Sequence, residues 1–222
     1  MTAPPAYDAH ADWYEDYTKV ASSYMERVRI HLADLLGPGA GCCLDLCCGG
    51  GAQAATIRGL GWTPVGVDLS QGQLRWARSR LPAAAADATR LPLRDSGLAA
   101  VACVLAHTDL PDYAAVLREA ARVLAPGGRL VHVGVHPCFV GAFADRSDAD
   151  LITINTRYAD RARTFDAWAP HGVRARVGAW HVPLADLLNA VTDAGLWIDR
   201  VEESSPNGIA DIFGFRAVKI RS

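Results

Sequence analysis

One stretch limits the possible folds of this chain more than any other. Leu44-Asp45-Leu46-Cys47-Cys48 is a short apolar run that enters three consecutive glycines, Gly49-Gly50-Gly51, and a helical pattern follows from Ala52 to Leu60. Glycines at such a junction let the backbone turn tightly and approach a ligand without Cβ atoms in the way, while the helix N-terminus offers unpaired N–H groups. A buried strand, a glycine turn and a helix form the first half of a βαβ unit. That unit requires a second strand, and Thr63–Asp68 supplies it.

The rest of the chain repeats the alternation. Helices are expected over Ser70–Leu81, capped by Ser70 and stopped by Pro82, and over Asp112–Leu124, closed by Pro126-Gly127-Gly128. Ala83–Ala86, Ala99–Ala106 and Arg129–Val135 read as further strands. An amphipathic pattern over Asp12–Leu36 marks one helix or two short ones before the first strand. A final helix, Leu184–Ala194, precedes two apolar runs, Leu196–Val201 and Ile209–Ile220, joined by the hairpin signal Ser-Pro-Asn-Gly. The expected fold class is α/β: a doubly wound, mostly parallel sheet with an antiparallel C-terminal hairpin. Within one domain the expected divisions are a helical N-terminal segment (1–41), a binding core (42–136), an insertion (137–182) and the C-terminal helix and hairpin (183–222).

Composition narrows the function classes. The 222 residues are 50% hydrophobic, which excludes a disordered chain. With 22 basic against 24 acidic residues, no field would draw in nucleic acid or an anionic membrane. No apolar run approaches the ~18 residues of a membrane span. The N-terminus has neither a basic start nor an apolar stretch, so no secretory signal is expected. Four of the six cysteines stand as neighbouring pairs, Cys42-Cys43 and Cys47-Cys48, without the spacing of a zinc site. They read as small buried hydrophobes in a reducing, cytoplasmic setting, with no metal.

Acids stand at the ends of successive strands: Asp45 within the first, Asp68 closing the second and Asp87 after the third. Ligands of open α/β sheets bind outside the carboxyl ends of the strands, so these acids outline a pocket for a ligand with hydroxyls and an amine-bearing part. A nicotinamide dinucleotide would call for GxGxxG, and the nearest frame offers Cys47, Gly49 and Ala52, a poor match.

In order along the chain, LDLCCGGG, VGVDLS, AADATRLPLRDSGLAAVACVLAHTD, EAARVLAPGGRLVHVGVHPCF and WHVPLADLLNAVTDAGLWIDRVEE resemble the motif blocks of class I S-adenosylmethionine-dependent methyltransferases of the small-molecule, UbiE-like (type 11) group. The resemblance covers essentially the whole chain. It implies a seven-stranded Rossmann-like sheet, the cofactor S-adenosylmethionine with S-adenosylhomocysteine as product, and a small-molecule methyl acceptor on an O, N or C atom. The alternative is a protein of this fold that binds the cofactor without methyl transfer, as a cyclase or a silent binding protein.

Residue by residue, the resemblance implies that Asp45 positions the glycine loop and the methionine amino group, with close backbone approach at Cys47, Gly49 and Gly51. Asp68 would take the ribose hydroxyls, Leu69 would lie on the adenine, and Asp87 with Ala88 would meet its amino edge. Leu105 and His107 would border the methyl group, and Tyr14 and Tyr17 would close over the cofactor as a lid. Cys47 stands where the family usually has a glycine, so a left-handed backbone is not expected there. His107, His136 and His181 are the candidate bases, with Asp109 as a possible orienter of His107. His132 reads as a core residue. The insertion aromatics Phe139, Phe143, Tyr158, Phe165, Trp168 and Trp180 are expected as substrate walls. No nucleic-acid partner is expected, and the chain would be a monomer or homodimer.

Overall fold

The computed structural model describes residues 5–148, 150–167, 172–206 and 208–220. Trp168 and His171 of the insertion, and Asn207 of the hairpin turn, lie outside the described residues. The chain begins with two helices, α1 (Ala11–Val20) and α2 (Ser22–Leu36), separated at Ala21. The sheet then alternates with helices: β1 (Cys42–Leu46), α3 (Ala54–Gly59), β2 (Thr63–Asp68), α4 (Gln71–Ala77), β3 (Ala83–Ala85), β4 (Leu98–Val104), α5 (Tyr113–Val123) and β5 (Leu124–Val135). The insertion holds two two-residue strands, β6 (Ala144–Asp145) and β7 (Thr153–Ile154), and the short helix α6 (Val173–Val177). Helix α7 (Leu184–Asp193) and the strands β8 (Leu196–Ser204) and β9 (Ile212–Lys219) complete the chain.

The seven-stranded sheet runs β3-β2-β1-β4-β5-β9-β8. Its first five strands pair in parallel, and β9 pairs antiparallel with both β5 and β8. This is the doubly wound sheet with a terminal hairpin that the alternation predicts. Both faces are covered, which is why the central strands read as continuous apolar runs. Leu44, Leu46, Val101, Cys103 and Leu130 face α5 and α7, whose Val116, Leu117, Leu187 and Val191 are buried against them. Cys43, Ala100, Ala102, Val131 and Val133 face the opposite way, toward Val28, Leu32 and Leu35 of α2 and Ile57 of α3. Small side chains at Cys43, Ala100 and Ala102 let α2 approach closely on that side.

Element ends differ from the sequence reading in ways that bear on the site. Helix α3 starts at Ala54, because Gly50–Gln53 form turns rather than a first helical coil. Strand β5 begins at Leu124 and passes through Pro126-Gly127-Gly128, whereas the sequence starts it at Arg129. Strand β4 ends at Val104, and Leu105 leaves it with φ +56°. All six cysteines are free thiols. No described helix is long and apolar enough to cross a membrane.

Candidate functional site

The carboxyl ends of β1, β2 and β4 meet at one edge of the sheet, and the chain leaves each by a sharp change of direction. After β1, Cys47 takes φ +58°, Gly49 φ +51° and Gly51 φ +78°. The left-handed backbone is therefore needed at Cys47 after all, and a non-glycine residue holds it at about 1–2 kcal/mol. The turn has to bring the Cys48 N–H onto the Val67 carbonyl (2.9 Å) and the Gly51 N–H onto the Cys48 carbonyl (2.8 Å). At Gly51 a Cβ would stand 2.5 Å from Leu81 Cδ2 and 3.4 Å from Ala77 Cα, so the end of α4 and the turn after it have closed onto the loop as far as a bare backbone allows.

Asp68, at the end of β2, accepts from the backbone N–H of Gly49 and of Ser70, both at 2.8 Å. Burial raises its pKa, and those two donors pull against the rise. Asp45 lies one strand inward and is 1% exposed. Its Oδ2 is sealed from solvent and has no hydrogen-bond partner. Burial, and then the negative charge of Asp68, push its carboxyl up to about 7. A buried carboxylate without a donor is an expensive arrangement unless something cationic completes it. Asp87 is exposed, and its carboxylate is held by the Thr89 N–H (2.8 Å) and hydroxyl (2.7 Å). Next to it Ala88 is buried, while Leu69 is left 56% exposed on the rim.

Beside this edge is a cavity of about 460 Å³, within the range of small-molecule sites. Its walls include Tyr14, Tyr17 and Tyr24 from the N-terminal helices, Leu105, His107 and Asp109 after β4, and Arg146 and Arg174 from the insertion. Tyr7 belongs to the same wall: its hydroxyl donates to Asp109 at 3.1 Å and its ring meets Tyr14 edge-on at 5.1 Å. The N-terminal segment is tied down over the edge. Asp8 accepts from the Ser70 hydroxyl (2.6 Å) and the Gly72 N–H (3.0 Å), and Glu15 takes both arms of Arg80 at 2.6 and 3.0 Å. Arg80 also donates to the Gly50 carbonyl at 2.8 Å, which links the lid to the glycine loop.

The three candidate histidines part company. His107 lines the cavity, with its Nδ1 sealed and unpartnered. Burial, with His181 and Arg174 nearby, lowers it to about 3, so the ring is neutral at pH 7. It is seated over Gly134 of β5, where a Cβ would stand 2.5 Å from its Cε1 and Nδ1. His136, expected at the pocket mouth, turns toward the hairpin instead. Its Nδ1 accepts from the Cys138 N–H (3.1 Å), so the other nitrogen, Nε2, carries the proton toward Glu203 Oε1 at 2.6 Å. Both nitrogens are engaged and the residue is outside the cavity wall. His181 lines a second, smaller cavity of about 140 Å³, which shares Arg174 and Ala179 with the larger one, and packs on Phe143 and Tyr158. Burial lowers it to about 4.

His132 is the core residue the sequence suggests, bonded to the Tyr113 hydroxyl at 2.8 Å. Asp109 does not orient His107; its hydrogen-bond partner is Tyr7, and burial raises it to about 7. Among the described residues, the aromatic side chains of the insertion do not wall the larger cavity either. Phe143 and Trp180 line the smaller one, Phe139 stacks on His136, and Phe165 is exposed beneath Arg163. Arg146, Arg174 and Tyr7 were not legible as site residues, because their place depends on how the insertion and the N-terminus fold back over the edge.

Among the described residues, no group of three or more His, Cys, Asp or Glu side chains is arranged to hold a metal ion. The donor set fits S-adenosylmethionine better. Asp45 is a sealed carboxyl whose Oδ2 lacks a partner, the loop backbone turns at Gly49 and Gly51 with φ +51° and +78°, and Asp68 stands at the end of the second strand.

Comparison with known proteins agrees with that fit. A family model described as a methyltransferase domain matches residues 44–132. Demethylmenaquinone methyltransferase of Mycolicibacterium paratuberculosis is 38% identical over 175 residues, covering 78% of this chain and 70% of that protein. The corresponding enzyme of Mycobacterium sp. (strain KMS) is 38% identical over 128 residues, or 56% of each chain. Methyltransferase GfsG of Streptomyces halstedii is 38% identical over 97 residues, 39% of this chain and 35% of that one. Among solved structures, an S-adenosylmethionine-dependent methyltransferase from Mesorhizobium loti superposes with a TM-score of 0.66 at 24% identity, over 79% of this chain and 90% of that one. The [4+2]-cyclase SpnF superposes with a TM-score of 0.64 at 19% identity, over 88% and 81% of the two chains, a likeness of fold alone. The strand order, the glycine turn and these relatives lead to one conclusion: the chain belongs to the UbiE-like class I S-adenosylmethionine-dependent methyltransferases.

Proposed function

We propose that this methyltransferase moves a methyl group from S-adenosylmethionine to an O, N or C atom of a small organic molecule held in the cavity of about 460 Å³. The observation that carries the reading is Asp45, a buried carboxylate whose Oδ2 has no donor. The methionine amino group is the cation it lacks. In this reading the backbone of Cys47, Gly49 and Gly51 lies against the methionine end and Asp68 takes the ribose hydroxyls. Leu69, Asp87 and Ala88 border the adenine, Leu105 and His107 flank the methyl, and Tyr14 and Tyr17 cover it.

When bound, the cofactor supplies an electrophilic methyl on a sulfonium and departs as S-adenosylhomocysteine. The chain's own contribution is orientation and exclusion of water, effects worth up to about 7–11 kcal/mol in well-positioned reactions. The tyrosines of the N-terminal segment line the cavity on the side of α1 and α2. His107, held neutral by burial and well below its ordinary value, is a poor proton acceptor at pH 7 and serves as an uncharged wall of the cavity beside the reacting groups. The similarity to demethylmenaquinone methyltransferases supports an aromatic acceptor, and the balanced net charge of −2 supports a small one. The free thiols fit a reducing compartment such as the cytoplasm.

Calorimetric titration with S-adenosylhomocysteine tests the assignment. Wild-type protein should bind it, and Asp68→Ala should weaken binding roughly 10- to 100-fold through loss of charge-assisted hydrogen bonds. Equal affinity in the two proteins would remove Asp68 from the site. Release of S-adenosylhomocysteine when the enzyme is given the cofactor and a metabolite extract would establish transfer itself.

A further inference from the structure

The insertion and the N-terminal segment carry many arginines, and nearly all have a partner. Arg157 faces Asp160 and Asp166, Arg161 is bound to Asp186 at 2.6 Å, and Arg27 clasps Asp211 at 2.7 and 2.6 Å. Arg163 is stacked over Trp180 and Phe165 and donates to the Val177 carbonyl, and Arg176 lies over Trp13. Arg174 and Arg146 are the exceptions. Both line the larger cavity, and among the described residues neither has a carboxylate within ion-pair distance. The Arg146 guanidinium makes a single hydrogen bond, to the Phe139 carbonyl at 3.0 Å, and that of Arg174 makes none among the described residues. Burial pulls the Arg174 guanidinium below its ordinary value, opposed by the attraction of Asp109.

Asp109 is a poor counter-ion for Arg174. It already accepts from Tyr7, and it is pushed up to about 7, so at neutral pH it carries only part of a charge. Charge in the site is thus divided. Asp45 and Asp68 stand on the sheet edge that would receive a cationic cofactor. The two arginines line the cavity itself, brought there by α6 and the segment after β6, whereas neither Asp45 nor Asp68 lines it. A guanidinium held in a desolvated wall without an anion is unfavourable in the empty protein and favourable once an anion arrives.

We propose that Arg174, assisted by Arg146, forms a subsite for an anionic group, a carboxylate or a phosphate, carried by the methyl acceptor. The proposal rests on the reading of the cavity as the acceptor site. It narrows the acceptor from any small organic molecule to an acid whose charged end lies on the insertion wall, while its reacting atom faces Leu105 and His107. The planar guanidinium favours a two-oxygen group that can take two parallel hydrogen bonds.

The test uses the full chain saturated with S-adenosylhomocysteine and three matched probes: 2-naphthoate, 2-naphthyl phosphate and the uncharged 2-naphthamide. At low salt at least one anion should bind the complex about tenfold tighter than the amide, and the better of the two identifies the group. The preference should vanish in Arg174→Met, survive in part in Arg174→Lys, and shrink in wild type as salt rises from roughly 0.05 to 0.5 M. Affinity for S-adenosylhomocysteine should be the same in all three proteins. Equal binding of anions and amide in wild type would overturn the proposal, as would a preference that persists in Arg174→Met. Loss of S-adenosylhomocysteine affinity in Arg174→Met would overturn it too, by giving the arginine to the cofactor's own carboxylate. If Arg174→Met fails to fold, the wild-type salt series and Arg174→Lys still decide. A wild type that does not bind S-adenosylhomocysteine at all would instead sink the parent reading, and this proposal with it.

Discussion

Replacing Asp45 by asparagine should stabilise the unliganded protein at pH 8 while depriving it of its cofactor. The carboxyl of Asp45 keeps its proton up to about pH 7 in the folded chain, against an ordinary value of 3.8. Between those values the native state binds more protons than the unfolded state, so stability falls as pH rises, and it levels off above pH 7. At about 1.4 kcal/mol per pH unit the whole penalty is about 4 kcal/mol, and the part lost between pH 5 and pH 7 is about 2–3 kcal/mol. Asparagine removes the charge, but its buried amide donors return about 1–3 kcal/mol of that gain. A net stabilisation of about 1–3 kcal/mol at pH 8 is left, which corresponds to several degrees in Tm for a chain of this size.

The decisive quantity is the change with pH, since the amide's cost is constant and cancels. Urea denaturation of wild type and Asp45→Asn at pH 5 and pH 8 measures it. Wild type should lose about 2–3 kcal/mol more than the variant over that interval. Asp109, raised by burial in the same way, contributes equally to both proteins. A difference that does not move with pH, or a variant less stable at pH 8 than at pH 5 relative to wild type, would refute the idea that Asp45 is a strained anion awaiting a cation. Cofactor binding supplies that cation, so it should also release a proton near pH 7, visible as a dependence of the calorimetric heat on buffer ionisation.

Other expectations follow from the loop and the core. Gly51→Ala combines φ +78° with a Cβ 2.5 Å from Leu81 Cδ2, and should cost about 1–3 kcal/mol in chemical denaturation. Cys47→Gly should be nearly neutral, because relief of the left-handed strain offsets the greater freedom of the unfolded chain. Cys47→Val, β-branched at φ +58°, should lose at least about 1–2 kcal/mol by the same measurement. Tyr113→Phe leaves the buried Nδ1 of His132 without a partner and should lower stability by about 1–3 kcal/mol, without changing affinity for S-adenosylhomocysteine. Glu15→Gln should loosen the N-terminal helix from the Arg80 turn after α4, read as earlier cleavage in the first twenty or so residues under limited proteolysis, with the sheet intact.

Much of the architecture could be read in the sequence because it is locally encoded. The apolar runs of β1, β2 and β4, the Ser70 cap and the glycines after Cys48 each act on near neighbours, and the right-handed crossover rule then orders the strands. Asp45 and Asp68 were visible for the same reason, since a strand's end fixes its residues at the sheet edge. The side of the cavity made by the insertion was not visible. Arg146 and Arg174 reach the cavity only through the path of a long insertion, and Tyr7 only through ties such as Asp8 to Ser70. His136 was misjudged because its position at the end of β5 is compatible with either side of the edge. Its partner Glu203, on β8, is far away in sequence. Cys47 shows the limit of residue-type reasoning, since cysteine gives no sign of a left-handed backbone.

Gly134 is the next-to-last residue of β5, beneath the ring of His107, and its missing side chain is the seat on which that ring rests. The reach of His107 into the cavity is therefore set by a gap in a strand that itself need not touch the substrate. A methyl group added there would meet Cε1 and Nδ1 of His107 and, at 3.0 Å, Nε2 of His132, and would displace the imidazole from its seat. Residue 134 thus works as an adjusting screw under the reacting groups. Relatives or engineered variants that differ at this one position could shift their preferred acceptor while keeping every residue that touches it.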